Sequence, residues 1–233
     1  MRALLIIATL SGCAAAAVPP LGPPAAPGQL PAGEAARNFV AVAEAVEPVA
    51  EQVCRERAPA GLSCDFVIVI DDRPGLPPQA FQVRGPDGRP LIGFTLPLVA
   101  DARNRDELAF VMGHEASHHI AVHLERQTAS AAAGAAFAEA LARSRGADAA
   151  TAARFARVGA GVGARTFSRD FELEADALGT LIAERAGFDP VRGAKFFARL
   201  PDPGDQFLGT HPPNAERTAL VARVAASLGR TGS

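Results

Sequence analysis

Gly113-His114-Glu115-Ala116-Ser117-His118-His119 is the stretch from which the rest of the chain can be read. Positions four apart share one face of a helix, so His114 and His118 direct two imidazoles at one point, where a metal can sit. Glu115, one residue further round, can reach water at that metal without being a ligand. With five histidines in 233 residues, this pattern would arise by chance roughly 0.006 times per chain. The surroundings predict a helix. Asn104 with Glu107 reads as an N-cap with an acid three residues on, and Asp106 adds negative charge to the first turn. From Leu108 to Leu124 only Gly113 interrupts, and apolar residues occur all round the helix, which predicts burial. Buried histidines and a buried glutamate need partners, and a metal supplies them.

Two imidazoles leave a metal site open. A third histidine on the same segment fails, because the positions needed hold Ala121 and Leu124, and His123 lies one residue early on another face. The alternative is a carboxylate from a later helix. In Ser168-Arg169-Asp170-Phe171-Glu172-Leu173-Glu174-Ala175-Asp176, Glu172 and Asp176 are four apart and share a face, while Glu174 points nearly opposite. The division of roles this suggests is Glu172 as third ligand and Asp176 as acceptor for a ligand imidazole N–H.

Residues 210–217 read Thr-His-Pro-Pro-Asn-Ala-Glu-Arg. Taken together, His-Glu-x-x-His, Ser-Arg-x-x-Glu-x-x-Ala-Asp-x-x-Gly and Thr-His-Pro-Pro-x-x-x-Arg resemble the HtpX-like zinc metallopeptidases, the family that includes the CaaX prenyl endopeptidases. The resemblance runs from about Phe66 to Leu228. It implies one Zn2+ held by His114, His118 and Glu172, Glu115 as general base, and His211 as donor to the oxyanion. It also implies that Arg217 anchors the His211 loop. In such peptidases an edge strand before the zinc helix binds substrate as an added strand, which would here be Leu91, Ile92, Gly93, Phe94 and Thr95. Main-chain pairing selects extended, unfolded segments. Two departures stand out: Gln79-Ala80-Phe81 where the family commonly has Asn-Ala-Phe, and His119 where it is usually apolar or small.

The N-terminus reads as an address. Met1-Arg2, the apolar run Ala3 to Leu10 and Ser11-Gly12-Cys13 describe an export signal. The run is too short for a bilayer, which needs ~20 apolar residues. Leu10-Ser11-Gly12-Cys13 resembles a bacterial lipobox, which implies removal of residues 1–12, lipidation at Cys13 and a periplasm-facing envelope lipoprotein, with Ala14 favouring the outer membrane. Residues 13–33 carry six prolines and read as a disordered tether, able to reach about 60 Å at ~3.1 Å per residue. The remainder, 34–233, is the expected zinc peptidase domain. With Cys13 used, Cys54 and Cys64 form an even pair expected to bridge in an oxidising compartment.

The predicted fold class is α+β, a mainly helical zincin-type domain with a small sheet. A helix over Glu34 to Arg57 carries an apolar stripe at Phe39, Val42, Val46, Val49 and Val53, with a kink at Pro48. A buried strand over Phe66 to Ile70 is followed by a hairpin about Gly85-Pro86-Asp87-Gly88. Thr128 to Ala164 reads as Ala- and Gly-rich helix broken near Gly146 and near Gly159 to Gly163, a flap beside the cleft, with too many charges for a membrane hairpin. Formal net charge is −2 with signs interspersed, which argues against a nucleic-acid partner. The partners that the two resemblances imply are unfolded or misfolded envelope proteins as substrates, and a membrane through the lipid on Cys13. The competing reading is a tethered chaperone or assembly factor with latent proteolysis.

Overall fold

The computed structural model describes residues 29–201 and 212–229. The expected signal, lipidated Cys13, nearly all of the tether, and His211 lie outside these residues. The described chain is mainly helical with one small sheet. Helix α1 (Ala32–Arg57) runs unbroken through Pro48. Three strands follow, β1 (Val67–Asp71), β2 (Ala80–Arg84) and β3 (Pro90–Thr95). Then come α2 (Leu96–Asp101), α3 (Arg105–Ile120), α4 (His123–Ser144), α5 (Ala149–Thr166) and α6 (Ser168–Arg185). The short α7 (Pro190–Gly193) passes into a 3-10 turn over Ala194–Arg199, and α8 (Asn214–Ser227) closes the described chain.

The core forms where the stripe of α1 meets the sheet and α3. Val42, Val46 and Val53 are fully buried with Ile92, Phe94, Phe110 and Met112, and Phe39 meets Phe94 edge to face at 5.1 Å. Cys54 and Cys64 are bonded, their Cα atoms 5.6 Å apart, which ties the end of α1 to the approach to β1. His119 is a packing residue. Its Nε2 donates to the Ser63 carbonyl at 2.7 Å and its ring meets Phe66 edge on, so the departure from the family pattern holds α3 to the disulfide loop.

The sheet order is β1-β3-β2, which corrects the expected substrate edge. Leu91, Ile92, Gly93 and Phe94 pair on one side with Val67 to Ile70 in parallel and on the other with Val83 to Ala80 in antiparallel register. Thr95 pairs with Asp71 and also donates its N–H to the Gln79 carbonyl at 3.0 Å. A central strand has no free ladder groups for an added strand. The edge on the cleft side is β2. The Gln79-Ala80-Phe81 segment is fixed there by contacts that do not use the Gln79 side chain: Gln79 N–H donates to Thr95 Oγ1, and the Phe81 ring occupies the space a side chain at Gly93 would need.

Helix α3 is shorter than its apolar pattern predicts. It stops at Ile120, and Val122 takes φ 49°, a left-handed conformation costly for a β-branched residue. The turn starts a new helix at His123. Asn104 caps α3 as expected, but Asp106 and Glu107 do more than complement the dipole. Both are buried. Glu107 accepts two hydrogen bonds from Arg199 at 2.7 Å each, and Asp106 accepts from Asp189 N–H at 2.9 Å and pairs with Arg192. These bonds bolt the start of α3 to α7 and the 3-10 turn.

Helices α4 and α5 form a hairpin whose main contacts outside itself are with α3 and α6. The expected break near Gly146 is present, where Gly146 takes φ 83°. The break expected at Gly159 to Gly163 is absent. Those glycines are interface residues instead: a Cβ at Gly159 would fall 2.2 Å from the Gly134 carbonyl oxygen, and one at Gly163 2.1 Å from that of Ser130. None of the described helices is long and apolar enough to cross a membrane.

Candidate metal centre

The site lies where α3 crosses α6. The helices touch backbone to backbone at Gly113 and Gly179, where a Cβ on Gly179 would sit 2.8 Å from His114 N and one on Gly113 2.9 Å from the Gly179 carbonyl oxygen. This contact sets how closely the side chains on the two helices can approach. His114 Nε2 lies 3.0 Å from His118 Nε2 and 3.6 Å from Glu172 Oε2, and His118 Nε2 lies 3.5 Å from Glu172 Oε1. Among the described residues these three form the one His/Cys/Asp/Glu cluster able to hold a metal. A tetrahedral zinc with donors at ~2.0–2.1 Å spaces them about 3.3–3.4 Å apart. The observed separations bracket that value, so the donor set fits zinc.

Each imidazole is held through its other nitrogen. His114 Nδ1 donates to Asp176 Oδ1 at 2.9 Å, which leaves Nε2 with its lone pair toward the cluster. Asp176 is wholly buried and receives a two-pronged bond from Arg217 of α8, Nε and Nη2 both at 2.7 Å. Burial pushes the Asp176 carboxyl up, but hydrogen bonds from Arg217 and His114 outweigh it and hold the group below the usual carboxylate value. Arg217 also approaches Glu172 to 3.5 Å and lies 3.7 Å over the Phe197 ring. The residue expected to anchor the His211 loop is thus, among the described residues, the buried counter-ion of the Asp176–Glu172 pair.

His118 is oriented by residues that sequence spacing missed. Its Nδ1 meets His123 Nδ1 at 2.9 Å, and His123 Nε2 meets Glu174 Oε2 at 3.2 Å. Glu174 accepts from Arg126 at 2.8 Å. A consistent proton arrangement follows. His123 donates to Glu174 and accepts from His118, whose Nε2 is then free for a metal. His123 stacks on Phe171 at 4.6 Å and 13°. Glu174 does face away from Glu172, as helix spacing requires, but the turn at Val122 brings His123 round to meet it. Burial, helped by the nearby His114, pushes the His118 imidazole down to about 3. It is therefore neutral at ordinary pH and offers a lone pair without first losing a proton.

Glu115 is half-buried and lines a cleft of about 270 Å3 with His118, His123, Glu172, Phe171, Ser168, Gln127, Leu124 and Gln82. Gln82 belongs to β2, so the free edge of the sheet borders the same cleft as the metal donors and the candidate base. The family model for peptidase family M48 matches residues 41–224, a span that takes in the donors, Glu115, Asp176 and Arg217. A comparison with curated proteins gave no match.

Proposed function

The chain belongs to peptidase family M48, and from that premise we propose that it is a zinc-dependent endopeptidase of the bacterial cell envelope, of the HtpX-like branch, that cleaves misfolded or unassembled proteins. The observation that carries this reading is the convergence of the His114, His118 and Glu172 donors on one point beside Glu115, at a cleft bordered by a sheet edge.

Bound by these three residues, Zn2+ supplies Lewis acidity, which polarises a scissile carbonyl and lowers the pKa of water toward ~7. The protein's own groups do the rest. Glu115 takes a proton from the attacking water and passes it to the leaving amine nitrogen as the C–N bond breaks. Asp176, itself held by Arg217, keeps the His114 tautomer fixed, and His123 with Glu174 does the same for His118. His211 is the proposed donor to the oxyanion, a role whose loss typically costs ~100- to 1000-fold in turnover. An extended substrate adds to the free edge of β2, in place of the β3 segment, because β2 borders the cleft and among the described residues pairs only with β3.

The envelope address rests on the N-terminal sequence, with Cys13 as the lipidated residue of a periplasm-facing, outer-membrane lipoprotein. The Cys54–Cys64 disulfide is in keeping with an oxidising compartment. The test is hydrolysis of unfolded casein by the zinc-loaded chain, beside Glu115→Gln and a chelated sample. The expected result is a rate lowered ~100- to 10,000-fold by Glu115→Gln and abolished by chelation. Intact casein with a zinc-loaded wild type would refute the endopeptidase reading and favour the chaperone role.

A further inference from the structure

The α4–α5 hairpin carries an apolar groove that none of the chemistry above uses. It holds about 540 Å3 and is lined from α4 by Ser130, Ala133, Gly134 and Phe137, from α5 by Phe155, Val158 and Val162, and by Phe167 at the junction with α6, among others. Three of these side chains are largely in water: Phe137 is 72% exposed, Val158 67% and Phe155 51%. The Gly134, Gly159 and Gly163 contacts bring the two backbones together and leave no seam for these side chains to fill, so they stand along the groove's rim. An exposed apolar surface of this kind marks an interaction site.

The groove adjoins the catalytic cleft. On α4, Gln127 lines the cleft and Ser130, one turn on, lines the groove. On the other side Phe167 lines the groove and the adjacent Ser168 lines the cleft. Gln127 Nε2 donates to the Ala164 carbonyl at 3.4 Å across this junction, and Phe167 stands 6.3 Å from Phe171 of the cleft wall. From Gln127 to Phe137 the helix rises ~15 Å, the span of about five residues of extended chain.

We propose that this groove is an exosite that captures apolar stretches of unfolded polypeptide and presents the adjoining segment to the cleft. The proposal rests on the reading of the cleft as a peptidase site. Its occupant follows from adjacency: the groove adjoins a cleft whose lining includes Gln82 of the β2 edge, so an extended chain held in the groove has the cleft next along its path. The hairpin also carries Arg143, Arg154, Arg157 and Arg165, a set that anionic lipid could address, so the test separates the two occupants.

The experiment uses the full zinc-loaded chain and the variant Phe137→Ser/Phe155→Ser/Val158→Ser, whose exposed sites leave the core intact. Hydrolysis of unfolded casein is compared with that of a short peptide spanning only the cleft. For casein, KM rises at least ~10-fold with kcat little changed, while kcat/KM for the peptide stays within about twofold. Equal losses on both substrates, or none, overturn the proposal. Binding of fluorescent unfolded casein is measured in parallel in a Glu115→Gln background. Weakened binding on adding the three serines supports capture, even if the wild type cleaves nothing and the peptidase reading falls. Undiminished binding overturns capture alone. Loss of cosedimentation with phosphatidylglycerol vesicles, with casein binding intact, assigns the groove to a membrane and likewise overturns it.

Discussion

Replacing Gly179 with alanine puts a methyl group where α3 and α6 touch. Its carbon would lie 2.8 Å from His114 N and 3.0 Å from His114 Cα, where heavy atoms at optimal contact stand ~3.5–4.0 Å apart. Neither neighbour is a flexible side chain, so the helices must separate by roughly 0.7–1 Å. One helix carries His114 and His118, the other Glu172 and Asp176, and the donors are now 3.0 to 3.6 Å apart. A spread of that size takes Glu172 out of bonding range of an ion held by the two imidazoles. Zinc affinity should fall ~10- to 100-fold and turnover ~100-fold. Stability changes less, because overpacking of ~1–3 kcal/mol is partly offset by the ~1 kcal/mol gained on replacing a helical glycine. Zinc competition with a chromophoric chelator and casein hydrolysis read the two losses, with circular dichroism to verify the fold. Gly161→Ala on α5 is the control, since its Cβ would meet nothing within 4 Å. Wild-type zinc affinity and rate in Gly179→Ala, with helix content unchanged, would refute the claim that this contact sets the site.

Arg217→Met leaves the Asp176 carboxylate buried without its strongest partner, and should destabilise the protein by ~3–5 kcal/mol in urea titration. Adding Asp176→Asn should recover part of that loss but not the zinc affinity. His123→Phe keeps the stack on Phe171 and removes the acceptor for His118 N–H. It should weaken zinc binding ~10- to 100-fold in the same chelator competition, with little change in melting temperature. His119 gives a pH effect of definite sign. Burial lowers its pKa below 6.5, although donation to Ser63 opposes the shift. The neutral ring then contributes stability that is full above about pH 6.5 and is lost as pH falls toward the folded value. His119→Gln keeps a donor and cannot titrate, so its urea midpoint in metal-free protein should fall less than wild type between about pH 7 and pH 5. Parallel declines would refute the assignment.

Local periodicity wrote much of this molecule into its sequence. The i, i+4 spacings of His114 with His118 and of Glu172 with Asp176 hold on any helix, so the donors and the Asp176 acceptor were legible before any packing was known. The Asn104 cap, the α1 stripe, the β2–β3 hairpin and the Cys54–Cys64 pair were legible for similar reasons, because each depends on residues close in the chain or on a short list of partners.

Strand order, helix crossing and the turn at Val122 were decided only by the tertiary structure. Whether β2 or β3 is the free edge depends on where β1 docks, and no strand's own pattern records its neighbour. Gly159 and Gly163 read as helix breakers because a lone helix gains nothing from them. Against α4 they are what permits contact, and the energy of that contact keeps the helix whole. Spacing set His123 and Glu174 aside as lying on other faces, and the resemblance gave Arg217 to the His211 loop; the partners they meet are 5, 51 and 41 positions away, across a turn or on another helix. Sequence fixes which face a side chain occupies within its own helix; which other face it meets is settled by packing the whole domain.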